Sequence, residues 1–461
     1  MTLEPSDDIR RTTCAVVLAA GLGTRMKSAL PKVLHPLCGM PLIAYPLRAL
    51  SEAGITAVFV VHNPELASMQ QHVGEQAVLV PQSPPLGTAH ALAQAQTHAQ
   101  GFADVVVLNG DVPLIRPESV RALVQARRTA GAAMALLTAK LPNPEGLGRI
   151  LRSEDGARVL AIVEEVDCTP AQRSIREVNA GAYCFDGAWV WSALARVQPN
   201  SRKGEYFLTD LVTLANAEGR TVVAVEALEE EALGINTRVD LARAEAAMRR
   251  RINTAHMLNG VTLVDPERTY IEPNVRIAPD TVIWPNTFLR GNTVIGAGCE
   301  IGPNTTLVDA QIGQRVRITY SVIEHSRLED DADAGPFAHI RGGARIGPRV
   351  HIGNFAEVKN SVLGADTKMG HFSYLGDAIV GEGVNIGAGT ITCNYDGKDK
   401  HPTYIGDGAF IGSDTMLVAP VRVGEGAKTG AGAVVTRDVP PRTLALGVPA
   451  RVVRQLDSDA A

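Results

Sequence analysis

Between residues 271 and 307 one aliphatic side chain recurs every six residues: Ile271, Ile277, Ile283, Leu289, Ile295, Ile301 and Leu307. An α-helix repeats every 3.6 residues and a lone strand every two, so neither yields this spacing. A parallel β-helix of short flat faces does, with one inward aliphatic per face and about three faces, or 18 residues, per coil. The register slips to Ile312 and Ile318, resumes as Ile346, Ile352 and Val358, and resumes again as Ile405, Ile411, Leu417 and Val423. Glycine follows the aliphatic at many steps (Gly296, Gly302, Gly347, Gly353, Gly387, Gly412, Gly424), as corners with little room for a side chain require. Two stretches leave the six-residue step. Residues 324–340 read as an irregular coil, and Thr392–Tyr404 as a polar loop inserted between coils.

The first half carries a different pattern. Apolar runs at Ala15–Ala20, Ala57–His62, Ala77–Pro81, Val105–Asn109 and Ala133–Ala139 alternate with helical stretches such as Gly87–Gln100 and Glu118–Thr129. Continuous apolar strands alternating with helices predict a mostly parallel sheet covered on both faces, and Val222–Val225 adds a further strand. Residues 236–257 hold no proline or glycine and read as one long helix. The expected organisation is an α/β domain over 1–235, a linker helix over 236–260 and a solenoid over 261–461, with residues 1–12 frayed.

At 461 residues the chain exceeds what one hydrophobic core supports, in keeping with that division. A net charge of −5 gives no field for nucleic acid or an anionic membrane, and no segment has the apolar length of a membrane span or the character of a secretory signal. Six cysteines lie scattered without metal-ligand spacing, as in a chain kept reduced in the cytoplasm.

The first predicted strand ends in Leu18-Ala19-Ala20-Gly21-Leu22-Gly23-Thr24-Arg25-Met26. A glycine-rich turn at this place lets backbone N–H groups approach phosphate oxygens, and Arg25 and Lys32 supply charge for a polyphosphate. The third glycine of a dinucleotide fingerprint is missing, and His62-Asn63 stand where an acidic residue would end the second strand, so NAD is disfavoured. A Walker lysine motif is also lacking. The apolar strand Val105–Leu108 runs into Asn109-Gly110-Asp111, which sets a carboxylate at the ligand crevice of an open α/β sheet, where it can hold Mg²⁺. The plainer alternatives are an ordinary βα turn and an Asx turn.

These residues, together with Gln82, Gly87-Thr88, Gly146-Leu147-Gly148-Arg149-Ile150, Ile162-Val163-Glu164, Asn179-Ala180-Gly181 and Gly204–Asp210, carry a resemblance. From about residue 14 to 440 the chain resembles the bacterial bifunctional N-acetylglucosamine-1-phosphate uridyltransferase/glucosamine-1-phosphate acetyltransferases. The resemblance implies a Rossmann-like nucleotidyltransferase domain and a left-handed β-helix. It implies that Leu18, Ala19, Ala20, Gly21, Gly87, Asn109 and Gly110 surround the nucleotide and that Gln82 and Thr88 read the uracil of UTP. Gly148, Glu164 and Asn179 would hold the sugar, Asp111 and Asn236 the Mg²⁺, and Arg25 and Lys32 the triphosphate. Here Pro84-Pro85 replaces a polar pair often seen in the family, and Asn109 stands where a tyrosine is common.

A hexapeptide solenoid by itself is no evidence of catalysis, since many only assemble their partners. Against that reading, Arg341, Lys359, His371, Tyr374, Asn385 and Asn394-Tyr395 cluster around the breaks in register, and the run Asn385–Gly397 is similar to the acetyltransferase half of the same family. Carried over, His371 is the general base, Arg341 and Lys359 bind the sugar phosphate, and Tyr374 and Asn385 orient the ring. Ala388, Asn394, Tyr395, Ser413 and Ala431 line the acetyl-CoA groove. An arginine the family often uses for coenzyme A is absent near Val448, with Arg451 and Arg454 as candidates to replace it. The family packs as a homotrimer. Two rivals are a single-activity nucleotidyltransferase with an assembling solenoid and a non-catalytic scaffold.

Overall fold

The computed structural model describes residues 7–456 except 22, 65–68 and 201–203. The chain divides at residues 248 and 249, within the helix Arg238–Leu258, into two compact units.

Apart from a small hairpin of Pro36–Leu37 and Met40–Pro41, the strands of the first unit are β1 (Thr13–Ala19), β2 (Ala57–His62), β3 (Val78–Pro81), β4 (Asp104–Asn109), β5 (Met134–Lys140), β6 (Arg149–Arg152), β7 (Val159–Val163), β8 (Glu177–Asp186) and β9 (Val222–Glu226). The main sheet runs β9-β5-β8-β4-β1-β2-β3. It is parallel except for β8, which lies antiparallel to both β4 and β5. The central strands are buried throughout: Cys14–Val17 and Val105–Val107 show no exposure, with a separate apolar cluster on each face of the sheet. That explains their unbroken apolar runs.

The strands expected from sequence do not include β6, β7 or β8, although β7 is wholly apolar. The strand β8 mixes polar and small residues and shifts register between Asn179 and Tyr183, with Gly181 in the left-handed region (φ 73°). Of residues 1–12, expected to be frayed, 7–12 form a short helix and 1–6 lie outside the described residues. Arg128 donates to Thr12 Oγ1 (2.6 Å) and pairs with Asp8 and with the fully buried Asp104. Burial pushes the Cys14 thiol up to about 12, and all six cysteines are free.

The second unit is a parallel β-helix. Its described residues make three sheets of 12, 10 and 9 strands, parallel but for the last pair in the longest. Until the last coil each strand pairs with the one three strands later, so Ile271, Leu289, Leu307, Ile323, Ile340, Val358 and Leu375 stack in one inward column. These side chains are at most 2% exposed, and each contributes about 1.5–3 kcal/mol by leaving water.

A small hydroxyl often stands two residues before the inward aliphatic and closes the corner. Thr281 Oγ1 donates to Gly296 O (2.8 Å), Thr293 Oγ1 to Arg290 O (2.6 Å) and Thr367 Oγ1 to Gly381 O (2.8 Å). Each gives a buried corner carbonyl the partner it needs.

The stretch 324–340 is a regular coil, contrary to the expectation from its sequence. Ile318, Ile323 and Leu328 stand five apart, so two faces are one residue short, and Ala334 fills the next inward slot. An alanine in an aliphatic position, after two short steps, hides the coil from a search at six. The insert leaves the strand Ile391–Cys393 and returns at Thr403–Ile405, with one bridge, Tyr395 to Lys400, inside it.

Candidate active sites

In the first unit the turn after β1 and the end of β4 are held together. Gly110 N donates to Leu18 O (2.9 Å), and Gly23 adopts φ 62° where a Cβ would stand 2.6 Å from Lys32 Cβ. A side chain at residue 23 would therefore push Lys32 out of the crevice. Leu22 lies outside the described residues.

Two cavities open here. One, of about 480 Å³, is lined by Leu18, Ala19, Ala20, Gly21, Lys32, Gln82, Gly87, Thr88, Asn109 and Asp111 among others. The other, of about 240 Å³, is lined by Gly148, Glu164, Asn179, Gly181 and Asn236 and shares Thr88, Asn109 and Asp111 with the first. The structure thus brings the expected nucleotide and sugar residues to two adjoining cavities with Asp111 on their common border.

Four groups from distant segments meet at that border. Lys32 Nζ pairs with Asp111 Oδ2 and donates to Asn236 Oδ1 (3.2 Å), and Arg25 Nη2 donates to the same Asn236 oxygen (2.8 Å). Asn236 is placed by the start of the long helix. Asp240 Oδ2 accepts from Asn236 N (3.2 Å) and Thr237 N (2.9 Å), and Ile235 N donates to Asp111 O (3.0 Å). Because one ammonium reaches both Asp111 and Asn236, their two oxygens converge tightly enough to share a single cation. No cluster of three or more His, Cys, Asp or Glu suited to a metal occurs among the described residues. Two oxygens alone suit Mg²⁺, which takes its remaining ligands from phosphates and water.

The smaller cavity is shaped by backbone and by polar pairs. A Cβ at Gly148 would lie 2.9 Å from Ile162 Cγ2, and one at Gly181 would collide with the Asn109 amide. Asn179 Nδ2 donates to Tyr183 OH (2.6 Å), while Glu164 Oε1 accepts from Thr209 Oγ1 (3.1 Å). Burial pushes the Tyr183 phenol well up, so it stays protonated. Arg149, also buried, forms an ion pair with Glu165 (2.7 Å) and donates to Leu147 O beside this cavity.

In the solenoid the candidates fall on rows one coil apart. Arg341 and Lys359 pair directly across adjacent strands, and Glu357 pairs with Tyr374. Arg341 Nη1 donates to Glu357 Oε1 (2.7 Å). Gly376 is the next rung after Lys359, and a Cβ there would run into Tyr374 OH and the Asn394 amide.

His371 is exposed and opposite Asn354, with Nδ1 3.0 Å from Asn354 Oδ1. The oxygen accepts the Nδ1 proton, which leaves the Nε2 lone pair free. Asn385 sits on the strand following that of His371 in the same sheet, at the register of Lys368. Asn394 Nδ2 donates to Asp377 Oδ2 (2.5 Å), and Tyr395 stands 59% exposed. Ala388, Ser413 and Ala431 form a separate row at one corner, linked by Asp414 N to Ala388 O (2.6 Å) and Gly432 N to Ser413 O (2.8 Å).

Three residues here were not expected from sequence: Asn354, Asp377 and Lys400. Lys400 folds back from the insert and lies close enough to Lys359 to lower its pKa, with Arg341 adding to the effect. The available signal was the insert itself, whose lysines had no assigned partner.

An α/β nucleotide crevice followed by a hexapeptide solenoid with a histidine-centred polar cluster defines a two-domain transferase. Residues 15–176 match the MobA-like NTP transferase domain, and residues 269–309 and 402–437 match the bacterial transferase hexapeptide (six repeats). The bifunctional protein GlmU of Brevibacillus brevis is 48% identical over 434 residues, covering 94% of each chain. That of Thermus thermophilus is 50% identical, covering 94% of this chain and 95% of its own. That of Pelobacter propionicus is 47% identical, covering 96% and 97%.

The chain belongs to the family of bifunctional GlmU proteins. Its solenoid is accordingly a left-handed β-helix, against the right-handed preference of parallel crossovers. The chain is an enzyme with two activities, acetylating glucosamine 1-phosphate and then joining the product to a uridylyl group to make UDP-N-acetylglucosamine.

Proposed function

We propose that UTP occupies the larger cavity of the first unit and N-acetylglucosamine 1-phosphate the smaller, with the α-phosphorus at Asp111. The convergence of Arg25, Lys32, Asp111 and Asn236 on one point carries this reading. Gln82 and Thr88 face the base, and Gly148, Glu164 and Asn179 hold the sugar. The sugar phosphate oxygen is already ionised at neutral pH, so no general base is needed. It attacks the α-phosphorus, the bond to the bridging oxygen breaks, and pyrophosphate leaves. Arg25 and Lys32 neutralise the triphosphate and hold the two reactants in line. Asp111 and Asn236 would hold Mg²⁺, which when bound supplies positive charge to the phosphate oxygens.

In the solenoid, His371 Nε2 takes the proton of the glucosamine amine as nitrogen attacks the acetyl thioester, and coenzyme A leaves as the thiol. Asn354 holds the ring in that tautomer. The cations Arg341, Lys359 and Lys400 bind the phosphate, and Tyr374 and Asn385 orient the ring. Asn394, Tyr395 and the corner row Ala388, Ser413 and Ala431 take acetyl-CoA. Exposed Tyr395 and an open corner row fit a groove completed by a neighbouring subunit, and the family resemblance makes that assembly a homotrimer. Residues 1–235 with the linker helix 236–260 carry uridylyl transfer and 261–461 acetyl transfer. No described helix is long and apolar enough to cross a membrane. We place the enzyme in the cytoplasm, with small-molecule substrates and neither nucleic acid nor membrane as partner.

The test is a product assay with glucosamine 1-phosphate, acetyl-CoA, UTP and Mg²⁺, read by mass. UDP-N-acetylglucosamine, coenzyme A and pyrophosphate should appear together. A product that retains a free amine would overturn the order of the two steps.

A further inference from the structure

Gln82 is 2% exposed and lines the larger cavity. Its Nε2 lies 3.2 Å from Gly87 O and 2.9 Å from His90 Nδ1. A carbonyl oxygen only accepts, so the amide atom against Gly87 O is the NH₂ group, and the orientation of this amide is decided. The second N–H of that group meets His90 Nδ1, which must then be the acceptor, and the ring proton resides on Nε2. Gln94 Nε2 lies 3.2 Å from that ring nitrogen, but it is itself a donor and gives its hydrogen to His90 O (3.2 Å), so it makes no hydrogen bond to the ring, and the shorter Gln82 contact sets the tautomer. Both donors of Gln82 are therefore engaged within the protein. Among the described residues no group donates to its Oε1, so Gln82 presents the cavity with an acceptor alone.

The frame around this amide is rigid. Gly87 adopts φ 106°, and a Cβ there would lie 2.5 Å from Tyr206 O. Tyr206 N donates to Leu86 O (2.8 Å) and Ala89 N to Tyr206 O (2.9 Å), which straps the turn to the start of the helix Thr88–Gln94 that carries His90. The His90 ring faces the Tyr206 ring at 6.5 Å between centroids.

We propose that His90 is a positioning residue for base selection: it holds the Gln82 amide so that Oε1 can pair with the N3–H of uracil and is repelled by the N3 lone pair of cytosine. This rests on the reading of Gln82 as a uracil contact. Uracil has one ring N–H on its pairing edge, flanked by two carbonyl acceptors, so an acceptor-only partner meets it at N3. Cytosine in the same pose sets lone pair against lone pair. Without His90, one amide hydrogen loses its partner, the side chain is held at Gly87 O alone, and it can swing its NH₂ toward the base. The discrimination then weakens, since a site selects best when its polar groups are fixed.

The experiment uses the full chain and compares kcat/KM for UTP and CTP at saturating N-acetylglucosamine 1-phosphate. His90→Leu should lower the UTP/CTP ratio about tenfold, the size of one misplaced hydrogen bond. His90→Asn, whose Oδ1 can accept from Gln82, should keep the ratio within about twofold of the parent. If His90→Leu does not fold, as judged by thermal unfolding, His90→Ala is expected to show the same loss. An unchanged ratio in either, or an equal loss in His90→Asn, would overturn the role of His90. Gln82→Leu separates the two levels of inference. If it leaves the ratio unchanged, the reading of the base pocket itself falls; if it relaxes the ratio while the His90 variants do not, only the present inference falls.

Discussion

The two candidate active sites are assembled on opposite plans. In the first unit, Lys32 and Asn236 meet across 204 residues of sequence, and Arg25 and Asn236 across 211. Nothing periodic joins them; sheet order and the entry of the long helix do. In the solenoid, Arg341 to Lys359 and Asn354 to His371 are one coil apart, and the same backbone ladder that builds the fold aligns them. A crevice can thus draw chemistry from anywhere in the chain but relies on every intervening segment. A solenoid draws mainly from neighbouring coils and departs from that only where a loop is inserted, as with Lys400. Loss of one crevice residue should therefore disable its site, whereas the row residues around His371 should give graded losses.

The largest effect is expected at Asp111. Asp111→Ala removes the carboxylate shared by both cavities and should lower uridylyl transfer by roughly 10³-fold or more, with acetyl transfer unchanged because that site belongs to the other unit. Steady-state rates of both steps on one preparation decide it, and equal damage to both would mean Asp111 serves the fold alone. Next, His371→Ala should cut acetyl transfer by about 10²–10⁴-fold, with a loss that shrinks as pH rises and the amine deprotonates unaided. A pH-rate profile of wild type and variant measures this, and a pH-independent deficit would deny His371 the role of base.

A smaller and pH-dependent effect concerns the cation row. Lys400 first, and then Arg341, hold the Lys359 ammonium below its usual pKa. A depressed cation sheds its proton earlier as pH rises, so KM for glucosamine 1-phosphate should climb on the alkaline side. Lys400→Met should move that limb to higher pH while raising KM a few-fold at neutrality through the lost charge. Titration of KM against pH in both proteins checks the sign, and a limb that stays in place would exclude the contact.

The smallest effect is expected in the insert. Asp396 has its pKa lowered to about 2 by the Asp399 backbone amide, His401 and the Lys398 amide. The ordering it contributes is present above its unfolded pKa and lost as pH falls through about 2. Asp396→Asn should raise KM for acetyl-CoA a few-fold at neutral pH, read by initial rates.

Much of the solenoid was legible because its inward positions are local: an aliphatic every six residues, with a glycine or a hydroxyl at the corner, states which side chain is buried and where the chain turns. The coil 324–340 escaped because Ala334 and two five-residue faces suspend that rule without changing the fold. In the first unit, β1 and β4 could be read from their apolar runs, since both faces are covered. The strand β8 could not, because Gly181 and its irregular register serve the cavity at the cost of any repeating pattern. The glycine turn, Asp111 at a strand end and a histidine beside a polar insert named the kinds of chemistry. Tertiary structure alone decided that Lys32 reaches both Asp111 and Asn236, that Asn354 orients His371, that Lys400 returns to Lys359, and that Gly87 and His90 fix the face of Gln82. Burial leaves its mark residue by residue along the chain, whereas a contact between polar groups far apart in sequence exists only once the backbone has brought their atoms within hydrogen-bonding reach.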